Sequence, residues 1–451
     1  MENNSVKPLF VAIAYCLLPI AFWQGTSVGQ DIYPALQDET NLLSNLHGYI
    51  RTRHRFRSLA GNGTDNDFYQ YLNLRLGDER KDKLTANLYG TLRENLEKER
   101  GVFASIDDTY QKTLTGRLYE LYADIRDVGI IDTTRIGRQY LYDVEPLHFD
   151  GAKLDFKELS AQGGLRFIAY GGVPVHLFES QPDGDFIAGA ASEVKPLDGT
   201  RVRLDYIHVN DDNKTIGNHE DNLYVLSAWQ YVAQWWDVFG RYSLINGEGR
   251  DAQVRSIWSF PDIDLDVRFS YFRQLKTLND FSIEFDEYFF LLGSYFAFSQ
   301  YTFDVYKGIG KYLGVDLGVS IRDMDNNGRE GAFNHEFNRY YATLLTYDYP
   351  FKGTSFSITG EEDHTSNDTV RTFGVDAKQA LNKRLSFGIG TYYALYKFDF
   401  LTDTEHDNVR TVYSNMKWKL SKRWEAAVDY EVEFFDAKTY HVVDTSLKFT
   451  F

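Results

Sequence analysis

The sequence has little of what would cross-link an exported chain or hold a metal cluster. Its 451 residues include a single cysteine, which excludes an internal disulfide and any cysteine-ligated zinc or iron–sulfur site. Only 9 residues are proline, and no proline-rich or low-complexity linker divides the chain into domains. Basic residues number 48 against 65 acidic ones, and the resulting net charge of −17 argues against nucleic acid as a partner.

The N-terminus carries the pattern of an export signal. An apolar stretch follows Lys7 and ends before Ser27 and Gly29, which supply a small-x-small cleavage pattern. The alternative is a single uncleaved membrane anchor, but the apolar stretch is short for a membrane span. We therefore predict three regions: a signal peptide at 1–29, a periplasmic segment at 30–44 and an outer-membrane β-barrel at 45–451.

Aromatic residues and period-two alternation are abundant. Phe, Tyr and Trp number 33, 32 and 7 and make up 16% of the chain. In Lys83–Arg93 and Leu313–Ile321, apolar side chains occupy every second position opposite polar or small ones, which is typical of strands. The longest later uncharged run, Tyr288–Phe303, is shorter than the ~20 residues that a membrane helix needs. The sequence therefore predicts an all-β fold, a transmembrane antiparallel β-barrel with an even number of strands, about 18–22.

Long polar segments and short turns separate the alternating runs, as in barrels with long outer loops and short periplasmic turns. A soluble β-sandwich also alternates, but here the polar face carries rows of charged side chains and tyrosines that suit a wet lumen. Tryptophans near predicted strand ends match aromatic girdles. The long segments are Asn210–Asp221, Asp323–His335, Glu361–Thr369 and Leu401–Asn408; the short ones are Pro350–Gly353, Leu381–Arg384 and Ser421–Arg423; the tryptophans are Trp229, Trp235, Trp236, Trp418 and Trp424.

The last strand and the hairpin before it give the sharpest local predictions. Tyr440–Phe451 alternates and ends on an aromatic carboxy terminus, which resembles the signal read by the outer-membrane barrel assembly machinery. In Met416–Ala426 the pattern predicts a turn that sets Lys419 opposite Glu425. The side chains of the assembly signal are Val443, Leu447, Phe449 and Phe451.

Charged side chains repeat along the polar face of the first strand. Arg51, Arg53, Arg55 and Arg57 alternate and so point the same way. One interpretation is a cationic wall that attracts anions. The other, which we favour, is neutralisation by an acidic row two strands away on closure of the barrel: Glu425, Asp429, Glu431 and Glu433.

Further charges are predicted to line the lumen. Both signs occur among them, and the basic ones concentrate in the first half of the chain. They are Arg75, Arg93, Arg138, Lys153, Asp155, Lys157, Arg201, Arg203 and Asp205.

Motifs for chemistry are weak. Asp323, Asp325 and Asn327 open a segment like a calcium-binding loop, but its twelfth position is Asn334 rather than glutamate, so a polar outer loop is the better interpretation. Metalloprotease, serine-hydrolase and phosphate-loop motifs are missing from the sequence. We expect no enzyme activity and no cofactor, with an outer-membrane lipase or protease as a minor alternative.

Two short segments carry a family resemblance. Gly137-Arg138-Gln139 and Phe149-Asp150-Gly151, with the strand Ala152–Phe156 after them and Arg117–Ile125 before them, resemble the GRQ…(W/F)DG region of alginate-export-type outer-membrane channels. The resemblance covers roughly residues 113–157. It implies a porin-like barrel whose lumen, lined with arginine and acidic residues, passes an anionic polysaccharide.

These observations predict a passive outer-membrane channel of a Gram-negative-type cell for small polar or charged solutes. Two alternatives stay open: an exporter of an anionic polymer, and a barrel sheath around periplasmic and surface cytochromes. The expected partners are outer-membrane lipid, the barrel assembly machinery and the solute or polymer. Any haem would belong to a cytochrome partner because the chain has no CxxCH motif.

Overall fold

Nearly all of the described chain forms β-strands, in which polar and apolar side chains alternate. The computed structural model describes residues 45–60, 63–96, 113–159, 163–175, 184–213, 217–276, 297–325, 336–365, 369–399, 404–435 and 438–451. The chain divides into two units, Met1–Asn45 and Leu46–Phe451. The predicted signal peptide and periplasmic segment lie outside the described residues.

The described residues form 22 strands and one short 3-10 turn, Pro261–Ile263. The strands are β1 (Leu46–Leu59), β2 (Gly63–Leu76), β3 (Leu84–Asn95), β4 (Leu114–Val128), β5 (Ile131–Leu141), β6 (Leu147–Phe156), β7 (Arg166–Pro174), β8 (Phe186–Val194), β9 (Thr200–Asn213), β10 (Gly217–Ala233), β11 (Trp236–Ile245), β12 (Glu248–Phe260), β13 (Leu265–Gln274), β14 (Phe298–Ile309), β15 (Leu313–Met324), β16 (Phe337–Tyr347), β17 (Thr354–Thr365), β18 (Thr369–Ala380), β19 (Leu385–Asp399), β20 (Thr404–Lys419), β21 (Trp424–Phe435) and β22 (Lys438–Thr450).

Each strand pairs antiparallel with its neighbours in sequence, and the first strand pairs with the last. The register of β1 with β22 runs from Tyr49 opposite Thr450 to Leu59 opposite Tyr440. The sheet is therefore a closed barrel, and its even strand number lies within the predicted range. Closure removes the exposed edges that an open sheet would present.

The two ends of the barrel differ. At the end that holds both Leu46 and Phe451, the connections between consecutive strands are short, the longest being residues 157–165. At the opposite end the chain between β13 and β14 comprises residues 275–297, and that between β3 and β4 comprises residues 96–113. This asymmetry matches the predicted division into outer loops and periplasmic turns.

Some predicted long loops are strands over much of their length. The polar segment Asn210–Asp221 continues β9 and β10, with Asn210 paired opposite Glu220, and leaves only 214–216 as the connection. The prediction was wrong because strand pairing needs backbone hydrogen bonds only, whereas apolar alternation is needed only where one face meets lipid. β17 and β18 likewise extend into the predicted loop Glu361–Thr369.

Aromatic side chains gather on the outer face at the end that holds the termini. Trp235 stacks on Phe260 at 5.4 Å between ring centroids, and Trp236 on Trp258 at 6.4 Å. Trp424 packs against Phe449 at 4.7 Å. These rings form the girdle expected at a membrane interface.

The hairpin between β20 and β21 has the predicted register. Lys419 lies opposite Glu425, and Trp418 lies opposite Ala426. The Ser421 hydroxyl accepts hydrogen bonds from the backbone N–H groups of Arg423 and Trp424, which fixes the turn. Across the ranges described, the structure holds no helix that is long and apolar enough to span a membrane.

Candidate lumenal site

The cross-strand register assigns one face of every strand to the interior of the barrel. The connection after β5 reaches β9, β11 and β12, which lie several strands along the wall, so the face that it contacts is the inner one. The opposite face carries large apolar side chains, such as Leu317 (47% exposed) and Phe373 (54% exposed). Outside the apolar cluster under the connection after β5, the inner face is mainly polar, and the outer face is mainly apolar, as in barrels that span a membrane.

The arginine row of β1 is paired across the closure of the barrel. Arg53 donates two hydrogen bonds of 2.8 Å to the carboxylate of Asp444 on β22. Arg55 shares the same carboxylate at 3.2 Å. Arg51 donates to the Ser446 hydroxyl at 3.4 Å. One aspartate thus neutralises part of the charge of two arginines and ties the last strand to the first.

Ion pairs continue along the next four strands. Arg57 pairs with Asp65, and Arg93 on β3 pairs with the fully buried Asp67 at 2.7 Å. On β4 and β5, Asp124 accepts two hydrogen bonds from Arg135, at 2.7 and 3.0 Å. The wall thus carries a chain of paired charges, in which Asp65, Asp67 and Asp124 are each held by at least one guanidinium.

The acidic row of β21 lies on the same lumenal face, but the ion pairs described for the arginines involve other carboxylates. Asp429 is directly opposite Asp444, and Glu425 is opposite Lys448. Asp444 is closer to the arginines because β22 adjoins β1, whereas β21 is one strand further away. Sequence reasoning considered the row as a whole and did not identify Asp444 as the principal partner.

The remaining predicted side chains divide into two groups. Lys153 and Arg166 both pair with Asp155 at 3.2 Å on the lumenal face, and Lys157 pairs with Asp127 at the end that holds the termini. By register the lumenal face also holds these residues: Arg75, Arg201, Arg203, Asp205, Glu431 and Glu433.

Arg138 corrects the prediction of a lumenal side chain. It lies on the same face of β5 as Ile136, which is 53% exposed, and it pairs with Asp150 on the outer face at 2.6 Å. Arg135 faces the lumen instead of Arg138. It lies opposite Asp124, which is on the lumenal face, and it pairs with that carboxylate. Arg138 was predicted to be lumenal because it is charged. The strand register shows that Arg138 and its partner Asp150 both lie on the outer face.

Trp229 is a second correction, since it faces the lumen rather than an outer girdle. Arg201 lies over its ring, with the guanidinium carbon 3.8 Å from the ring centroid. Phe239 packs at 5.1 Å on the adjacent strand. Trp229 lies opposite Arg201 on the polar face, a position that its aromatic character alone did not reveal.

Tyrosines accompany the arginines on the first strands. Tyr69 and Tyr71 stack at 6.3 Å on β2, and Tyr89 stacks on Tyr119 at 5.3 Å. With Arg93 and Arg117, these strands line a small lumenal recess of ≈ 190 Å³. Such a wall offers hydrogen-bond donors and ring faces to a passing polar solute.

The connection between β5 and β6, residues 142–146, folds into the lumen. Asp143 accepts from Arg203 at 2.8 Å, and Glu145 accepts from Arg241 and Arg250 at 2.9 and 2.7 Å. Glu145 thus pairs with arginines on two strands that lie five and six positions beyond β6 around the wall. We call residues 142–146 the inward loop.

The inward loop packs against an apolar cluster on the lumenal wall. Its Val144 packs against buried side chains that face inward from β5 to β11, at positions where the alternation predicts a wet lumen. Because these side chains are buried, the loop is held by packing as well as by ion pairs. The cluster comprises Leu141, Leu147, Phe149, Ile168, Tyr170, Ile187, Ala191, Ile207, Val209, Leu223, Val225 and Ile245. Sequence reasoning missed the loop; the signal available was the apolar character of these inward positions.

The two segments that carry the family resemblance are cross-strand partners. Gly137 lies opposite Gly151, Arg138 opposite Asp150 and Gln139 opposite Phe149. Gly137 has a φ of +126°, and a Cβ there would lie 2.1 Å from the Leu121 carbonyl oxygen. The resembling segments thus form one structural unit at a close approach of three strands.

No cluster that could hold a metal ion occurs among the residues that the structure describes. Of the calcium-loop candidate, Asp325 binds Arg273 through two hydrogen bonds of 2.6 Å. Asp323 lies near the end of β15, and Asn327 lies outside the described residues.

At the opposite end of the barrel, hydrogen bonds from the Arg80 backbone and the Lys81 side chain lower the pKa of Asp78 in a surface turn.

No protein-family model and no curated protein matches the sequence. Among solved structures, the translocation pore of the P pilus usher PapC has a TM-score of 0.53 at 10% identity, covering 90% of this chain and 100% of that chain. A BenF-like porin from Pseudomonas fluorescens Pf-5 has a TM-score of 0.47 at 10% identity, with coverage of 90% and 98%. OpdK from Pseudomonas aeruginosa has a TM-score of 0.44 at 8% identity, with coverage of 90% and 99%. The PapC similarity supports the barrel fold; the alginate-export family is not confirmed.

Proposed function

We propose that this chain is a channel in a Gram-negative outer membrane, through which small polar or charged solutes pass passively. The apolar outer face, the aromatic girdle and the closed barrel support the membrane location. The ion-paired inner face supports a polar path. The observation that carries the proposal is the inward loop, because it places a restrained segment in the path of a solute.

The width of the barrel explains why such a segment is needed. Twenty-two strands spaced about 4.8 Å apart and tilted about 40° would enclose a circular barrel about 44 Å across. An unobstructed lumen of that size would not select among small solutes. An element anchored on β9, β11 and β12 narrows it, which favours small solutes over a bulky polymer.

The proposal is tested by single-channel recording on purified protein in planar bilayers. We expect discrete conductance steps from the wild type and larger, noisier steps from Glu145→Gln. The substitution removes the charge that holds Arg241 and Arg250, and each charged hydrogen bond contributes roughly 1.5–3 kcal/mol.

Glu158→Gln is the matched control. Glu158 is paired with Lys195 at 2.8 Å outside the inward loop, so its replacement should leave the conductance unchanged. A folded, correctly inserted wild type without conductance steps would refute the channel. Equal conductance for Glu145→Gln and the wild type would refute the role of the inward loop alone.

A further inference from the structure

The outer face of β16 to β20 carries a groove at a row of paired positions. The row runs through Ala342, Gly360, Phe373, Tyr393 and Arg410, each opposite the next on the neighbouring strand. Ala342 and Gly360 leave a gap beside the large rings, and a Cβ added at Gly360 would meet no atom within 4 Å. A recess of ≈ 500 Å³ lies here. A second of ≈ 520 Å³ shares Phe373 and Tyr393 with it, so the two are continuous.

Two arginines border this groove on the outer face. Arg410 is exposed and lies between two aromatic residues, opposite Tyr393 on one side and Phe434 on the other. Its guanidinium carbon is 5.9 Å from the centroid of the Tyr393 ring. Among the described side chains, Arg410 has no carboxylate partner. An unpaired arginine on a lipid-facing surface is unfavourable unless it lies near the interface and meets an anion.

Arg371 lies one row nearer the barrel end opposite the termini. Its guanidinium binds Glu362 at 2.8 Å, and Glu362 also pairs with His364 at 2.6 Å. Arg371 remains 63% exposed, so it can bind a further anion beside this carboxylate. The apolar part of the groove therefore lies below a charged border, formed by Arg410 and the Arg371–Glu362 ion pair, on the side where the long connections emerge.

The depth of this border agrees with the outer membrane interface. Arg410 is eight residues along β20 from Trp418, a predicted girdle residue that is 47% exposed on the outer face near the other end. At about 3.4 Å per residue and a tilt of about 40°, that separation spans about 21 Å, close to the height of the apolar band of a barrel. Arg410 thus lies at the level of lipid headgroups in the outer leaflet.

We propose that this groove binds a phosphorylated glycolipid of the outer leaflet, of the lipopolysaccharide class. Arg371 and Arg410 contact its phosphate groups, and acyl chains occupy the gap beside Gly360, Phe373 and Tyr393. The inference rests on the proposed outer-membrane location but not on conductance. Charge complementarity carries it: the headgroup supplies the anion that Arg410 lacks within the described protein.

The test measures binding of purified lipid A to the protein in detergent by native mass spectrometry. We expect about one tightly bound molecule per wild-type barrel and about tenfold weaker binding for Arg371→Gln/Arg410→Gln, since each loses a charge-assisted contact. Arg423→Gln, in the turn at the opposite end of β20, is the matched charge control and should bind as the wild type.

Two measurements keep the test decisive if the double variant folds poorly. Gly360→Leu keeps both arginines but fills the gap, and it should also weaken binding. Wild-type protein should bind lipid A without phosphates about tenfold less tightly than the phosphorylated form. Equal binding by the double variant and the wild type, or equal affinity for phosphatidylglycerol and lipid A, would overturn the proposal. Lipid binding without conductance would refute the channel and leave this site intact.

Discussion

At the residue scale, Asp444 is the main carboxylate partner of the arginine row, although its position in the sequence does not suggest this role. It is the carboxylate that both Arg53 and Arg55 contact, although the acidic row of β21 is more conspicuous in the sequence. The alternation predicts that these arginines share one face, and the register sets Arg53 and Arg55 beside the same carboxylate. The sequence pattern could not identify Asp444 as the partner of these arginines. Which carboxylate an arginine reaches depends on whether that carboxylate is on the adjacent strand or one strand further away, and strand register is set only in the folded sheet.

We expect Asp444→Asn to destabilise the barrel and shift its selectivity toward anions. Two guanidinium groups would lose their carboxylate, at a cost of roughly 1.5–3 kcal/mol for each charged hydrogen bond. The shift in reversal potential should fade at 1 M salt, where the Debye length is about 3 Å. Thermal unfolding in detergent and bilayer reversal potentials provide the measurements.

Asp429→Asn is the control, because Asp429 lies directly opposite Asp444 on β21. It removes the same charge from the same level of the lumen but leaves both arginines paired. A similar loss of thermal stability in the two variants would show that the ion pairs of Asp444 with Arg53 and Arg55 do not stabilise the barrel more than the charge of Asp429 does.

At the scale of single elements, the close approach of β4, β5 and β6 depends on glycine. Gly137→Ala should prevent correct pairing, because Gly137 has a positive φ and the new Cβ would lie 2.1 Å from the carbonyl oxygen of Leu121. We expect loss of the heat-modifiable folded band on gels. Gly240→Ala on β11 is the control, since a Cβ there meets nothing within 4 Å and the band should persist.

The sequence predicted strands well and connections poorly, for a physical reason. Within the membrane, one face must be apolar, so alternation in Leu313–Ile321 reveals β15. Beyond the membrane this requirement ends, and the polar extension of β9 and β10 looks like a loop. The inward loop could not be predicted either, because the partners of Glu145 lie 96 and 105 residues away in the chain.

At the scale of the whole molecule, the C-terminus completes the barrel. Phe451 exchanges two backbone hydrogen bonds with Gly48, of 3.1 and 3.2 Å, and its ring packs on Phe449 at 5.9 Å. Deletion of Phe451 should therefore lower the amount of folded protein in the outer membrane. Phe451→Tyr keeps the ring and the backbone bonds and should assemble normally. Membrane fractionation measures both, and normal levels of the deletion variant would contradict the predicted assembly signal.

The pairing of β1 with β22 also has a consequence for the order of folding. Arg53 and Asp444 are 391 residues apart and lie on the first and last strands, so their contact is highly non-local and cannot form before the last strand is available. Until then, β1 presents an open edge that could pair with the wrong strand or another chain. A protease that cuts β1 in nascent or partly inserted chains should therefore lose access in one step, when β22 docks, rather than gradually as successive hairpins form.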